Sequence, residues 1–282
     1  MTTCLRIPNA RREELKAFLA KDAHFNLFAL GLLEDHGLAP EEGAPLQAFA
    51  LEDGAGAFQS VLVSGGGGGM LLPCAPHPEA AEALGRALAG RLPVRTLMGP
   101  RLILDAFLRG IDAENRVLLI KPLRFFAASA DDLGPFVCPE LHKATTDDLP
   151  QLIPLAAAAI EETLGENPLA CAREAFERRV ATRALMGRTY VLAKDGQLVF
   201  KLDVTARSRF GLEIEGIYTR PDFRRRGVAT LALGQITRHM LGSMPLLVVR
   251  TNEDDAIAAS LCQRVGYLPV RRQGQQRAII LS

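Results

Sequence analysis

Two neighbouring runs carry residues whose types and spacing suit chemistry. Arg224-Arg225-Arg226-Gly227-Val228-Ala229-Thr230 stands between a strand-like segment, Leu212 to Thr219, and a helix-like one in which Val228, Leu231, Leu233, Ile236, Met240 and Leu241 recur at helical spacing. A helix start leaves its first backbone N–H groups unpaired, and with the helix dipole these make an anion site. Gly227 lets the backbone come close to a phosphate, while the arginines bring charge and hydrogen-bond donors to the same spot. In the strand before the turn, Glu213 and Glu215 alternate, so both share one face with Ile217 and Thr219. No Gly-Lys-Ser/Thr follows the turn and no Gly-x-Gly-x-x-Gly is present there, so the phosphate cradle is of neither common type.

The elements that must hold these residues read as mixed α and β along the whole chain. In the first half, Ala10 to Ala20 and Asn26 to Leu33 read as helix; Leu46 to Leu51, Phe58 to Ser64 and Met70 to Pro73 read as strands separated by Gly-rich turns, including Gly65 to Gly69. Pro78 to Ala89 and Arg101 to Arg109 are expected to be helices, with strands at Val94 to Met98 and Arg116 to Ile120. Around Asp131 to Pro139 the composition turns to Gly, Pro and acidic residues, as between compact units. The expected units are therefore residues 1–136 and 137–282.

The second half is expected to run β-α-α-β-β-β-α-β-α-β-β. A strand at Glu140 to Lys143 precedes a helix capped near Thr146-Asp147-Asp148 and reaching Ile160, and a further helix spans Cys171 to Met186. Strands at Tyr190 to Ala193 and Leu198 to Thr205 flank Lys194-Asp195-Gly196-Gln197, whose Asp-Gly supplies the positive dihedrals of a tight hairpin. After the helix that follows the arginine turn come a strand at Leu246 to Val249, a helix from Ala256 to Val265 stopped by Gly266, and short strands near Leu268 and Ala278 to Leu281.

Composition narrows the function classes. Lys and Arg total 33 against 32 for Asp and Glu, so no overall field draws the protein to nucleic acid or an anionic membrane. An aromatic content of 6% with no Trp leaves few stacking platforms for bases. The 5 cysteines are scattered without Cys-x-x-Cys spacing, and His24, His36, His77, His142 and His239 show no metal-ligand spacing, so neither disulfides nor a metal site is expected. No apolar run approaches the roughly 20 residues of a membrane span, and the first residues lack a signal-peptide core. A cytoplasmic location is the expectation.

The arginine turn resembles the signature of the GNAT acetyltransferase family, Arg/Gln-x-x-Gly-x-Gly/Ala, with Arg224, Gly227 and Ala229 at the defining positions. Pro221-Asp222-Phe223 looks like the Pro-Glu-Tyr that commonly precedes it. Asp255-Ala-Ile-Ala-Ala-Ser-Leu-Cys-Gln-Arg-Val-Gly-Tyr267 is similar to the family's Asn-x-x-Ala-x-x-Leu-Tyr-x-x-x-Gly-Phe. The resemblance covers about residues 140 to 270 and implies the family's acyltransferase fold there. The first half lacks the motif but has a similar order of elements, like the degenerate copy in a tandem GNAT protein.

The resemblance also implies a reaction and a set of roles. Acetyl-CoA would be the co-substrate, its pyrophosphate on the amides of Arg224, Arg225, Arg226, Gly227, Val228, Ala229 and Thr230, and its pantetheine arm along Ile217, Tyr218 and Thr219. Asp255 stands where the family has a cofactor-side asparagine. The acceptor would be a primary amine of a small molecule or protein, with Glu215, then Glu213, as the base that removes its proton; either glutamate could instead pair with an arginine. Cys262 occupies the place of the family's tyrosine acid and is read either as a proton donor to the leaving thiolate or as a buried filler. The alternative to an N-acetyltransferase is an acyl-CoA-binding sensor that keeps the turn without turnover.

Overall fold

The computed structural model describes residues 3–38, 46–65, 69–129, 134–270 and 276–282. Its first run of elements is β1 (Thr3–Arg6), α1 (Arg12–Ala20), α2 (Ala23–His36), β2 (Leu46–Glu52), β3 (Phe58–Gly65), β4 (Met70–Cys74), α3 (Pro78–Leu88), β5 (Thr96–Pro100), α4 (Arg101–Gly110) and β6 (Val117–Ala128). The second is β7 (His142–Lys143), α5 (Leu149–Leu164), α6 (Pro168–Cys171), α7 (Arg173–Leu185), β8 (Thr189–Lys194), β9 (Gln197–Ser208), β10 (Gly211–Thr219), α8 (Val228–Leu241), β11 (Leu247–Asn252), α9 (Ala256–Val265), β12 (Leu268–Pro269) and β13 (Gln276–Leu281). Leaving aside the short α6 and β12, the second run repeats the order of the first.

All these strands join one mixed sheet in the order β1-β2-β3-β4-β5-β13-β6-β11-β10-β9-β8-β7, with β12 against β6. The pairs β4–β5 and β10–β11 are parallel, each joined by a crossover through one helix, and the neighbouring pairs are antiparallel. At the middle the halves exchange strands. The last strand of the chain, β13, lies on β5, whereas β6 of the first run lies on β11 of the second. The exchanged strands then pair with each other, Gln276 opposite Leu123 through Ile280 opposite Leu119. Neither half completes its sheet without the other.

Local sequence explains most element ends. Thr145 and Asp148 form a capping box ahead of α5, and Gly165 in the left-handed region closes that helix. The β8–β9 hairpin turns on Asp195 (φ 51°) and Gly196 (φ 74°), as Asp-Gly requires. The strand expected over Arg116 to Ile120 runs on to Ala128, through Pro122. Pro122 sits just before β11 pairing begins at Leu123, and its carbonyl accepts from Glu253 N at 3.0 Å. Within the expected linker, residues 130–133 lie outside the described residues, but Phe136 packs on α8 so closely that a Cβ at Gly234 would meet its ring at 2.3 Å. In the Gly65 to Gly69 turn, residues 66–68 are likewise outside the described set.

Helices cover both sheet faces. α3 with α4, and α8 with α9, pack over one face, burying Phe107, Leu104, Leu233 and Cys262 among others. On the other, α1 and α2 lie over the middle of the sheet, and α5 and α7 over its β8–β9 end. α2 comes from the first half yet rests on β9 of the second: at Gly31 an added Cβ would stand 2.7 Å from Ala206 Cβ and 2.9 Å from its Cα. Arg188 fastens the same contact, its Nη1 donating to Asp35 Oδ2 at 2.7 Å. Among the described residues no helix is long and apolar enough to cross a membrane. Gly31→Val should overfill the seam between α2 and β9 and lower stability by about 1–3 kcal/mol, read as a drop in the urea midpoint with unchanged slope.

Candidate functional site

The site opens where β10 and β11 part. Their parallel pairing covers only Leu212–Ile214 against Leu247–Val249. Beyond it β10 keeps β9 on one side, with a register break between Glu215 and Tyr218, and Gly216 takes φ 59° at the break. β11 meanwhile continues along β6 from Arg250 to Asn252. The edge of Ile217, Tyr218 and Thr219 that faces β11 is therefore outside any ladder, and its backbone groups can pair with an extended ligand.

The chain leaves β10 through a single turn at Pro221–Phe223 and enters α8 at Gly227. Arg225 (φ 59°) and Gly227 (φ 79°) are both left-handed, which curls the backbone so that successive N–H groups face one concavity. No side chain caps α8, and a Cβ placed on Gly227 would meet nothing within 4 Å. Its first helical bond is Leu231 N to Gly227 O at 3.0 Å, leaving the amides before it for another acceptor. By contrast, the corresponding helix of the first half, α3, is capped from within, His77 Nδ1 accepting from Ala80 N at 3.3 Å.

The three arginines divide. Arg224 is a strut: Nε donates to Thr219 O at 2.9 Å, Nη2 donates to Glu162 Oε2 at 2.6 Å, and the guanidinium lies 5.4 Å from the centre of the Tyr218 ring. Its pairing with Glu162 pushes its pKa up. Arg225 and Arg226 are exposed and have no ion-pair partner among the described residues, so they are the charges left for a phosphate. Asp255 caps α9, its Oδ1 accepting from Ala258 N at 2.8 Å. An Asp directly before an apolar helical run is itself a capping signal.

Under the opening lies a set of charged side chains on the α2–α7 side of the sheet. Glu213 is 1% exposed, with Oε1 3.0 Å from Arg250 Nη2 but not aligned for a hydrogen bond. Burial pushes the Glu213 carboxyl up, against the pull of Arg250, and neighbouring Glu215 adds to the rise. Glu215 is more accessible; its Oε2 accepts from Arg250 Nη2 at 2.9 Å, and Oε1 stands 3.6 Å from Arg183 Nη2. In β9, Asp203 accepts from Lys201 Nζ at 2.5 Å, from Thr189 Oγ1 at 2.7 Å and from Arg183 Nη1 at 3.3 Å. Burial raises the Asp203 carboxyl, but Lys201, Arg183 and these hydrogen bonds outweigh it and the net shift is down. Phe28 of α2 lies beneath the Arg250 guanidinium.

The structure thus brings together Glu213, Glu215 and the open edge at 217–219, with the phosphate turn directly following. Cys262 is elsewhere, fully buried between α9 and the sheet, and burial pushes its thiol up to about 12. Tyr267 is buried beside it, sharing a 2.7 Å hydrogen bond with Thr237. Lys201, Asp203, Arg183 and Arg250 were not singled out in the sequence. A readable signal exists for two of them, Lys201-Leu-Asp203 inside an otherwise apolar strand.

A left-handed glycine entering an uncapped helix, beside a strand that parts from its parallel neighbour, presents unpaired backbone groups of the kind that receive an anion and an extended arm. Residues 158–267 match the acetyltransferase (GNAT) family model, and this domain belongs to that family of acyl-group transferases. The fold likeness extends over the whole chain. A protein from Drosophila solved by X-ray diffraction shares 12% identity with a TM-score of 0.69, over 99% of this chain and 98% of its own. A GNAT-family acetyltransferase from Colwellia psychrerythraea shares 11% identity with a TM-score of 0.61, over 100% of both chains. A tandem GNAT protein from the clavulanic acid biosynthesis pathway shares 15% identity with a TM-score of 0.53, over 99% of this chain and 97% of its own. No curated protein matches the chain in sequence.

Asp203 gives a test of the charged set. A carboxyl held below its unfolded value contributes stability that is complete above the unfolded pKa, near 3.9, and is lost as pH falls through the folded value. Asp203→Asn should strand Lys201, buried at 6% exposure, and cost about 3–5 kcal/mol at pH 7. Urea unfolding from pH 7 downward should show this loss and a shallower acid decline in the variant.

Proposed function

We propose that this protein transfers the acetyl group of acetyl-CoA to a primary amine, with residues 137–282 as the working unit and 1–136 as a degenerate copy that supplies α2 to the floor of the acceptor site. The observation that carries the reading is the uncapped, glycine-entered start of α8 beside the unpaired edge of β10. The Arg224 amide donates to Pro221 O within the turn, so the pyrophosphate rests on the amides from Arg225 to Thr230, with Arg225 and Arg226 screening its charge, and the pantetheine arm pairs with Ile217, Tyr218 and Thr219. This sets the thioester at the parting of the strands, over Glu215.

In the reaction, Glu215 takes a proton from the acceptor ammonium, directly or through water, and the freed nitrogen attacks the thioester carbon. The carbon–sulfur bond then breaks, the nitrogen gives a second proton to solvent as the amide forms, and the CoA thiolate leaves and takes a proton from solvent. Glu213, buried behind Glu215 and biased toward the protonated form, limits the negative charge on this face. The burial of Cys262 favours its role as packing, and Asp255 acts through the start of α9. That same burial is the one observation favouring an acyl-CoA sensor, since no phenol stands at the family's acid position; turnover with any amine at saturating acetyl-CoA would sink that alternative.

Calorimetric titration with acetyl-CoA should give saturable binding that Gly227→Glu abolishes, because the variant forces a side chain into φ 79° and a negative charge onto the phosphate position. A folded wild-type protein that binds no acetyl-CoA would sink the proposal. Glu215→Gln should leave acetyl-CoA affinity within about twofold and reduce kcat roughly 100-fold or more, while Cys262→Ser should turn over at the wild-type rate.

A further inference from the structure

Resting on the acyl-transfer reading above, we infer that the acceptor is an amine carrying its own carboxylate, and that Arg179 and Arg183 on α7 hold that carboxylate beside Glu215. In the charged set under the strand opening, Lys201, Arg183 and Arg250 each touch a carboxyl of Asp203, Glu213 or Glu215. Arg179 adds a fourth cation. It lies one helical turn before Arg183, on the same face, and senses Arg183, Glu215 and Asp203 electrostatically. Among the described residues it has no ion-pair partner, and its guanidinium lies 5.3 Å from the centre of the Phe176 ring, which orders it.

The other cations are not equally available. Arg250 is buried, its Nη2 facing both glutamates, and Lys201 is buried on Asp203. Arg183 is only loosely held, at 3.3 Å from Asp203 and 3.6 Å from Glu215, with its side chain 35% exposed. Two arginines spaced i, i+4 repel one another unless an anion lies between them. Guanidinium groups suit a carboxylate, which accepts paired N–H donors. Because Arg183 stands 3.6 Å from Glu215, an anion bound there lies within a few bonds of the base. That is the separation of ammonium and carboxylate in an α-amino acid.

The step balances without further reactants. The amino acid's ammonium gives one proton to Glu215, its nitrogen bonds to the acetyl carbon, the carbon–sulfur bond breaks, and the second proton that the nitrogen loses as the amide forms passes through solvent to the departing thiolate. The products are an N-acetyl amino acid and CoA.

The test measures CoA release with L-alanine, L-methionine, L-phenylalanine and L-glutamate, each beside its amide, in wild type and Arg179→Gln. Acids should exceed amides at least tenfold in kcat/KM for the best acceptor. Arg179→Gln should bring that ratio near unity, through KM, with unchanged acetyl-CoA affinity. A second arm titrates the four N-acetyl amino acids and their amides into both proteins and reads the arginine pair without turnover. Acids binding more tightly than amides, with the difference lost in Arg179→Gln, supports the inference. Equal use or equal binding of acids and amides, or a preference that survives Arg179→Gln, overturns it and leaves acyl transfer standing. Absent acetyl-CoA binding overturns acyl transfer, and the product titration still decides the carboxylate question.

Discussion

The parting of β10 from β11 after Ile214 and Val249 is the constraint on which the rest of the structure turns. Two parallel strands pair as far as their backbones allow, and here the break in β10 at Glu215 to Tyr218, with Gly216 left-handed, ends the ladder. A gap in the middle of a sheet exposes unpaired donors and acceptors and would close if either strand could swing. Both are held from outside. β9 grips β10 across the break, and β6 grips β11 along its whole length. The strand exchange acquires its meaning here, because the clamp on β11 comes from the first half of the chain. An isolated second half would lose that clamp, and one wall of the opening with it.

The first half repeats this geometry without its chemistry. β4 and β5 pair in parallel only at Met70–Leu71 against Thr96–Leu97 and then diverge, as β10 and β11 do. There the opening is lined by apolar side chains, among them Phe25, Phe28, Leu72, Met98 and Phe125. Cys74 donates to Asn26 Oδ1, and at the start of the following helix the amide of Ala80 is already taken by the His77 ring. Phe28 goes further and underlies Arg250 of the other half. The opening of the first half is thus continuous with the support of the second, as α2 also rests on β9 at Gly31.

What the sequence could show was set by range. The turn from Arg224 to Ala229 is legible because its physics is contained in a few consecutive residues: a strand end, a left-handed glycine, a helix start. Element order is legible for the same reason, from period and punctuation. The strand exchange is not, since β6 and β13 are chosen as neighbours by the whole sheet and Pro122 reads locally as an interruption. The partners of Glu213 and Glu215 come from β9, β11 and α7, and only the folded register sets Arg250 and Arg183 against them. Cys262 carries two readings by position alone, acid or filler, and only the folded helix shows that its side chain turns into the core.

The charged set explains why two neighbouring glutamates, Glu213 buried and Glu215 half-buried, are not driven apart by mutual repulsion. Paired carboxylates a strand-step apart destabilise one another unless a cation lies between them or one keeps its proton. Both remedies have a counterpart here. Arg250 lies against Glu213 and Glu215 together, and burial pushes the Glu213 carboxyl up, in the direction of the neutral form. Glu215 shares Arg250 with its neighbour and stands 3.6 Å from Arg183, beyond a direct hydrogen bond, and of the two glutamates that meet Arg250 it is the accessible one. An anionic group that draws Arg183 toward itself would leave Glu215 held by Arg250 alone, because Arg183 is the partner that stands farthest from it.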